Sequence, residues 1–347
     1  MMTFIPPLTL NDVDLRIWRE ELDEFVPAKV FDVHTHLYRW AFNADPNKDQ
    51  TPYRDLLGTT WADADFDLIT AVDAALFPGR EVHRLSFPFP FPHPCDFEAS
   101  NEFVARQAAR DRASAALMLV HPAMTADAAE DEVERRGFLG FKPYRFYSAT
   151  GDAVDCRITD FMPEHLIAVA DRLGLLIMMH VSKKDAIADA ENLDDMTRLC
   201  EKYPRVKWIL AHCARSYSAW AIDKAGARLR GLPNVWYDTS SVCEADAFDA
   251  LYSQVGHHRV MYGSDDIPIG VLRGKYIAFG YAWAFLSETN HTLGLSHCEP
   301  RMTFTRYEQL RAMRRAAKRA GLTREDNEAL FHDTAAALIA SVRRSPR

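Results

Sequence analysis

The chain has 347 residues, of which 48% are hydrophobic and 26% are charged, and its formal net charge is −8. This composition is typical of a globular protein in water, and no uncharged apolar run is long enough to cross a bilayer, so we expect no membrane partner. The acidic balance opposes a polyanionic partner, and we therefore expect no nucleic acid.

The first residues predict an amphipathic, acidic helix over about residues 10–26. They do not read as a secretory signal, because no basic stretch is followed by an apolar one. The six cysteines are widely scattered and form no CxxC pair, so each is expected to be a reduced thiol. Both observations predict a cytoplasmic protein.

The first β-rich run, VFDVHTH, ends on two histidines. If this run is a strand, His34 and His36 project from the same face, because side chains two residues apart do so. Two neutral imidazoles side by side suit a pair of metal ligands, whereas solvation of both rings at a strand end is the structural alternative. A long loop over residues 37–60 is predicted to follow.

Apolar strands then alternate with amphipathic helices along the chain. The seven further predicted strands are EVHRLSF, SAALMLVHP, FLGFKPY, LLIMMHV, VKWILAHC, NVWYDTS and RVMYGSD. Each is followed by a helix or a helix-bearing segment, and the last by a long irregular segment and two helices within about 304–343. This alternation predicts a parallel sheet, and eight such units predict an α/β fold of the (β/α)₈ TIM barrel type.

An open, doubly wound sheet is the competing prediction, but its glycine-rich first turn is missing, since HTHLYRW stands in that place. We therefore predict one barrel domain over residues 1–347. The N-terminal helix and the C-terminal helices are expected to pack on this domain.

Ionisable residues collect where the predicted strands end. They are His34 and His36 after strand 1, Lys142 after strand 4, His180 after strand 5, His212 after strand 6 and Asp265 after strand 8. Active sites of TIM barrels form at the carboxyl ends of the strands, so all six are expected at one mouth. Histidines together with an aspartate suit a divalent transition metal, which by ligand type is zinc, with manganese or iron as alternatives.

The runs FDVHTH, LIMMHV, WILAHC and MYGSDD, in this order across residues 29–266, resemble the amidohydrolase superfamily. Within it they resemble the amidohydrolase-related branch that contains aminocarboxymuconate semialdehyde decarboxylase. The resemblance implies one metal ion held by His34, His36, His180 and Asp265. It also implies that His212 faces the bound water as an acid/base group. The loops after strands 5 and 8 depart from those of characterised relatives, so no substrate is implied.

A metal with an open position lowers the pKa of a bound water to roughly 7. The predicted function is therefore hydrolysis of a small-molecule ester, lactone or amide, with Asp265 accepting the proton of the water and His212 orienting it or donating to the leaving group. A metal-dependent, non-oxidative decarboxylase with the same ligands is the alternative. A metal-dependent nuclease is opposed by the acidic chain and by GFKPYR, where such barrels commonly carry a glutamate.

Three cations near the strand ends are candidates to hold a substrate carboxylate, namely Lys142, Arg145 and Arg215. The structural alternative for the two arginines is a place on the surface or at a helix start. In binuclear members of the resembled superfamily a lysine after strand 4 becomes a carbamate that bridges two metals. The resembled branch works with one metal, so we predict an unmodified Lys142. The resemblance also suggests a homodimer.

Overall fold

The strands and helices are taken from a computed structural model, which describes residues 8–46, 57–92, 94–288 and 290–343. The strands are β1 (Lys29–Arg39), β2 (Asp63–Ala64), β3 (Glu81–Pro88), β4 (Ala115–Ala116), β5 (Met118–Val120), β6 (Gly140–Pro143), β7 (Leu176–Met179), β8 (Lys207–Leu210), β9 (Val235–Asp238), β10 (Val260–Met261), β11 (Gly274–Phe279) and β12 (Ala282–Ser287). The longer α-helices are Asp12–Ile17, Phe66–Leu76, Phe97–Ala108, Ala126–Arg136, Glu164–Leu173, Ala190–Lys202, Ala219–Arg230, Ala245–Val255, Thr305–Ala320 and Thr334–Arg343.

Two sheets of parallel strands share one ring. Their strand orders are β2-β1-β3-β4 and β10-β9-β8-β7-β6-β5, with only β2 antiparallel to its neighbour. The N–H of Leu139 donates to the carbonyl of Ala116 at 2.9 Å and so links the two sheets on one side. On the other side the N–H of Val33 in β1 donates to the carbonyl of Tyr262 at 3.0 Å. The ring is therefore closed, and the predicted (β/α)₈ barrel is confirmed.

Several strands are apolar over most of their length because they are buried on both faces. All four residues of β7, for example, are 0% exposed. One face of such a strand packs in the barrel interior and the other under the surrounding helices. None of the helices in the described ranges is long and apolar enough to cross a membrane.

Local sequence signals set several helix boundaries. The side chain of Thr125 accepts the N–H of Ala128 at 3.2 Å and caps helix Ala126–Arg136. The helix ends at Gly137, whose φ of +72° is a left-handed conformation that glycine adopts without strain. The N-terminal helix, predicted over about residues 10–26, is α-helical over Asp12–Ile17 and continues as a π-helical turn to residue 22.

The predicted loop over residues 37–60 begins later than expected. β1 continues to Arg39 because Tyr38 and Arg39 pair antiparallel with β2. The Tyr38 hydroxyl donates to the carbonyl of Trp61 at 2.8 Å and is buried there. This extension was not expected from the sequence, because its partner strand has only two residues and so leaves no recognisable pattern. Residues 47–56 of the predicted loop lie outside the described residues.

The segment after β10 was predicted to be irregular, and this prediction was wrong in part. It contains the antiparallel hairpin β11–β12, in which Tyr276 lies opposite Phe285 and Ala278 opposite Trp283. These four residues share one face of the hairpin, because directly paired residues do so. Tyr276 and Trp283 pack on Tyr217, with ring centres 4.7 and 5.3 Å away. The hairpin thus depends on contacts with another part of the chain.

A buried carboxylate ties the N-terminal helix to the segment after β10. Asp14 is 0% exposed and accepts two hydrogen bonds from Arg273, at 3.1 and 2.6 Å. The hydroxyl of Thr303 donates to the same carboxylate at 2.7 Å. The N-terminal helix is therefore fixed to the segment that follows the last barrel strand.

We predict that Asp14→Ala lowers the free energy of unfolding by about 3 kcal/mol, because the guanidinium of Arg273 loses its buried partner. Urea unfolding measures the change. Asp12→Ala is the matched control in the same helix, since its ion pair with Arg301 is exposed and should leave the midpoint unchanged. Equal shifts of the unfolding midpoint in both variants would contradict the view that the buried ion pair stabilises the fold more than the exposed one.

Candidate metal centre

The two histidines of β1 meet an aspartate that follows β10. The Nε2 atoms of His34 and His36 lie 3.3 and 3.2 Å from Oδ1 of Asp265. The two imidazole centres are 5.4 Å apart, and all three residues are buried. The predicted same-face arrangement of the histidines therefore brings both rings to the carboxyl end of the barrel, where the carboxylate joins them.

The second ring nitrogen of each histidine faces the protein. Nδ1 of His34 lies 2.9 Å from Oδ2 of Asp238, and Nδ1 of His36 lies 3.4 Å from the carbonyl of Pro88. An acceptor at Nδ1 holds the proton there and leaves Nε2 as the free electron-pair donor. Both imidazoles are thus oriented with Nε2 towards Asp265.

Asp238, at the end of β9, is a residue that the sequence analysis missed. Its Oδ1 accepts the N–H of His212 at 2.9 Å and the hydroxyl of Ser240 at 2.5 Å, while Oδ2 faces His34. Burial alone would raise the pKa of Asp238, but His34 and the hydrogen bonds hold it well below its usual value. The signal was available, because Asp238 ends a predicted strand as the other candidates do.

His212 lies in a left-handed turn directly after β8. The φ angles of His212, Cys213, Ala214 and Arg215 lie between +52° and +60°. Nδ1 of His212 lies 2.9 Å from the hydroxyl of Ser240, and burial lowers the pKa of the ring to about 4. Such a turn is strained for residues other than glycine, which is a frequent feature of functional sites.

Three of the candidate donors form a compact group. His34, His212 and Asp265 each offer one ligand atom, and these atoms lie within 4.8 Å of one another. His212 was predicted to take part in acid/base chemistry and not to be a ligand. Its position in this group makes it a candidate ligand as well.

His180 follows β7 and lies beside His212, with ring centres 5.2 Å apart. Its Nδ1 is buried and has no hydrogen-bond partner among the described residues. Burial lowers the pKa of His180 well below its ordinary value, so the ring is neutral. A buried nitrogen without a partner calls for one, and a metal ion or a substrate would supply it.

Lys142, near the end of β6, is fully buried in the same region. Its Nζ makes no hydrogen bond within the described part of the chain and lies 4.7 Å from the ring centres of Phe87 and Tyr144. Burial lowers the pKa of Lys142 to about 8, while Asp238 and Asp265 oppose this shift. The ammonium is therefore held by aromatic faces and by nearby carboxylates with which it makes no direct contact.

Arg145 and Arg215 are partly buried next to His180. Arg145 donates from Nη1 to the carbonyl of Ala153, and Arg215 donates from Nη1 to the carbonyl of Lys183 at 2.5 Å. Burial and the nearby charge of Arg145 lower the pKa of Arg215 to about 10. Neither guanidinium forms an ion pair with a carboxylate of the described residues, in keeping with the prediction that they hold a substrate carboxylate.

Aromatic side chains cover one side of this mouth. The Tyr217 ring is nearly parallel to Trp283 at 5.3 Å and to His212 at 6.2 Å. The guanidinium of Arg215 lies 5.4 Å from the ring centre of Trp283. The hairpin β11–β12 therefore supplies a wall between the histidines and the solvent.

The donor set fits a divalent transition metal. Imidazole nitrogens and one carboxylate oxygen converge in a buried space, and outer hydrogen bonds orient two of the imidazoles. The partnerless Nδ1 of His180 is a further sign that a group is expected there. No pair of cysteines takes part, in agreement with nitrogen and oxygen ligation.

Comparison with known protein families gave one match. A family model described as amidohydrolase matches residues 31–340. The comparison with curated proteins gave no match.

Solved structures with the same fold include three enzymes. An amidohydrolase from Burkholderia multivorans with bound HEPES is 18% identical, with a TM-score of 0.59, and the match covers 90% of this chain and 99% of that chain. 5-Carboxyvanillate decarboxylase from Novosphingobium aromaticivorans, complexed with manganese and 4-hydroxy-3-methoxy-5-nitrobenzoic acid, is 14% identical, with a TM-score of 0.57 and coverage of 91% of this chain and 96% of that chain. Dihydroxybenzoic acid decarboxylase from Polaromonas sp. JS666, with bound manganese and 2-nitroresorcinol, is 13% identical, with a TM-score of 0.55 and coverage of 91% of this chain and 97% of that chain. At these identities the likeness establishes the fold.

We predict that Asp238→Asn weakens metal binding by about tenfold to a hundredfold, because the amide nitrogen cannot accept a hydrogen bond. Competition with a chelator of known affinity measures the dissociation constant. Tyr237→Phe is the control on the same strand, since the Tyr237 hydroxyl has no partner among the described residues. An unchanged constant in Asp238→Asn would show that the carboxylate is not needed to orient His34.

Proposed function

The chain belongs to the amidohydrolase family, as its resemblance to that family predicted, and on this premise we propose that it hydrolyses an ester, lactone or amide of a small molecule that carries a carboxylate. The observation that carries the proposal is the convergence of His34, His212 and Asp265, whose ligand atoms lie within 4.8 Å of one another. Arg145 and Arg215 lie near His180, which neighbours His212, and suit the carboxylate.

In this proposal His34, His36, His180 and Asp265 hold one divalent metal ion, zinc by ligand type, with manganese or iron as alternatives. Support comes from the Nε2 atoms of both β1 histidines facing Asp265 and from the partnerless Nδ1 of His180. When bound, such an ion polarises a substrate oxygen and lowers the pKa of a water to roughly 7.

Two residues are proposed to move protons. Asp265 accepts the proton of the attacking water, and the hydroxyl of Ser241 orients its carboxylate by donating to Oδ2. Nδ1 of His212 faces the carbonyl and hydroxyl of Ser240, which leaves Nε2 as an acceptor that orients the attacking water. Nε2 donates to the leaving group after it has taken up the proton that Asp265 accepted from the water. The buried surroundings exclude other water from this exchange.

Three cations are proposed to bind the substrate carboxylate. Arg145 and Arg215 offer N–H groups near His180, and Lys142 offers an ammonium deeper in the barrel. None of them forms an ion pair with a carboxylate in the described ranges, so an anionic substrate would supply the missing partner. Trp283 and Tyr217 would form the wall against which a flat substrate packs.

A metal-dependent carboxy-lyase is the second candidate function. It needs the same cations to hold a carboxylate and an acid to protonate the carbon that loses carbon dioxide, a role proposed for His212. It is favoured by the fully buried Lys142, whose ammonium has no carboxylate partner in the described part of the chain. The decarboxylases from Novosphingobium aromaticivorans and Polaromonas share the fold.

One assay separates the two candidates. Metal-loaded protein is offered lactones, amides and carboxylated aromatics, and both acid release and carbon dioxide are followed. Acid release without carbon dioxide is the expected result, whereas carbon dioxide from a carboxylated aromatic assigns the carboxy-lyase. Failure to convert any of these classes would contradict both candidates.

We further propose that the chain forms one folded unit, that it acts in the cytoplasm and that it assembles as a homodimer. The described cysteines are all free thiols, in keeping with a reducing compartment. The N-terminal helix is tied to the segment after the last barrel strand through Asp14, in keeping with a single unit.

We predict different outcomes for the two neighbouring histidines. His180→Ala should lose the metal, whereas His212→Ala should keep most of it and lose turnover by roughly two to four orders of magnitude. Elemental analysis and kcat measure the two effects, and the double variant His34→Ala with His36→Ala serves as the empty-site control. Because His212 also lies within ligand distance of His34, metal loss in His212→Ala with retention in His180→Ala would exchange the two roles.

The same elemental analysis counts the ions per chain. Protein purified with bicarbonate and excess zinc should hold close to one tightly bound ion if Lys142 is unmodified. Two ions, falling to one or none in Lys142→Ala, would instead show a carbamate-bridged pair.

We predict that Arg145→Gln and Arg215→Gln each raise KM by about tenfold to a hundredfold for a carboxylated substrate, because each removes a charged hydrogen-bond donor. The methyl ester of that carboxylate should show little change. Arg157→Gln is the control, since this arginine is half exposed and pairs with Asp195. Equal changes in KM for the carboxylated substrate and for its methyl ester would contradict an anion site.

A further inference from the structure

Asp266 lies next to two of the candidate ligands through its backbone. It is bonded directly to Asp265, and its carbonyl accepts the N–H of His36 at 2.5 Å. It also forms a parallel bridge with Thr35. A shift of the Asp266 backbone would therefore move Asp265 and change its alignment with His36.

The side chain of Asp266 is held from the C-terminal part of the chain. Its carboxylate forms an ion pair with Nη2 of Arg306, in helix Thr305–Ala320, and both side chains are fully buried. On the other side Gly270 approaches so closely that an added Cβ would lie 2.0 Å from Oδ1 of Asp266. The carboxylate thus has one charged partner and little room to move.

Arg306 is itself anchored at its other end. Nη1 donates to Oδ1 of Asp73, in helix Phe66–Leu76, at 2.7 Å. The guanidinium also lies 4.9 Å from the ring centre of Phe77. Arg306 therefore connects a helix of the outer ring to the turn that carries Asp265.

The turn needs such support because its conformation is unfavourable. Asp265 has a φ of +63°, a left-handed conformation that residues other than glycine adopt rarely. Conformations of this kind persist when the surroundings determine them strongly. The ion pair with Arg306 is made by Asp266, the residue directly after Asp265.

We propose that Arg306 is a positioning residue for the metal centre, acting through Asp266 to hold Asp265 in line with His36. The inference rests on the proposed function, in which Asp265 and His36 are metal ligands. A buried ion pair commonly adds little net stability over apolar side chains of similar volume, so stability alone is a weak explanation for this pair.

Arg84 provides a matched comparison within the same buried network. Its Nε donates to Oδ2 of Asp73 at 3.1 Å, and its side chain is as well buried as that of Asp73. Arg84 forms no ion pair with Asp266 in the described residues. A purely structural role of the network predicts similar effects for both arginines, whereas positioning predicts a metal effect for Arg306 alone.

The test measures binding of Mn²⁺ alone to the full chain by equilibrium dialysis, and the absorption spectrum of the Co²⁺-loaded protein. Arg306→Met should weaken Mn²⁺ binding by about tenfold to a hundredfold and change the Co²⁺ spectrum. Arg306→Lys should recover part of the affinity because it restores a charge opposite Asp266. Arg84→Met should bind Mn²⁺ as the unmodified protein does, even where its unfolding midpoint falls.

Wild-type affinity and spectrum in folded Arg306→Met would overturn the proposal, as would equal weakening in Arg84→Met. If Arg306→Met does not fold, Asp266→Asn breaks the same ion pair and takes its place in the test. Wild-type Mn²⁺ affinity and Co²⁺ spectrum in this variant, or equal weakening in Arg84→Met, would again overturn the proposal. If the unmodified protein does not bind Mn²⁺, both the proposed metal centre and this inference are wrong. The first measurement of the series distinguishes this outcome from a failure of the positioning role alone.

Discussion

The seam between β1 and the segment after β10 is the constraint on which the barrel and its candidate centre both depend. The N–H of Asp265 donates to the carbonyl of His34 at 3.0 Å, and the N–H of His36 donates to the carbonyl of Asp266 at 2.5 Å. These backbone bonds close the ring of strands, and they join residues that lie far apart in the sequence. Because they involve the backbone of His34, His36 and Asp265, the contacts that close the barrel also bring these three side chains together.

Burial decides the electrostatics around this seam. In a dry space a charge without a partner is costly, so the imidazoles of His180 and His212 remain neutral and available as electron-pair donors. The carboxylate of Asp238 stays ionised because His34 and two backbone N–H groups face it. Lys142 has no such direct partner in the described residues, which sets it apart from the other buried charges and suits it to an anionic ligand.

The mouth is built from elements with different origins. The histidines and Asp265 stand at strand ends and are held by the regular geometry of the barrel, so their separations are set by the spacing of the strands. Arg145, Arg215 and Trp283 come from a loop, a left-handed turn and a hairpin, which vary more freely between relatives of one fold. The candidate centre is thus tied to the barrel, whereas the three side chains beside it depend on these connecting segments.

The sequence by itself determined the eight barrel strands and the side-chain set at the strand ends, because periodic burial and the βα repeat are local properties of the chain. It also pointed to His34, His36, His180, His212 and Asp265, whose roles as ligands or acid/base groups stay predictions. It did not indicate the hairpin β11–β12, the extension of β1 to Arg39, the contacts that Asp238 makes with His34 and His212, or the buried ion pair between Asp266 and Arg306. Only the tertiary structure decided these, because each depends on partners distant in sequence: Tyr217 for the hairpin, a two-residue strand for β1, and buried charges whose pairing no local pattern records.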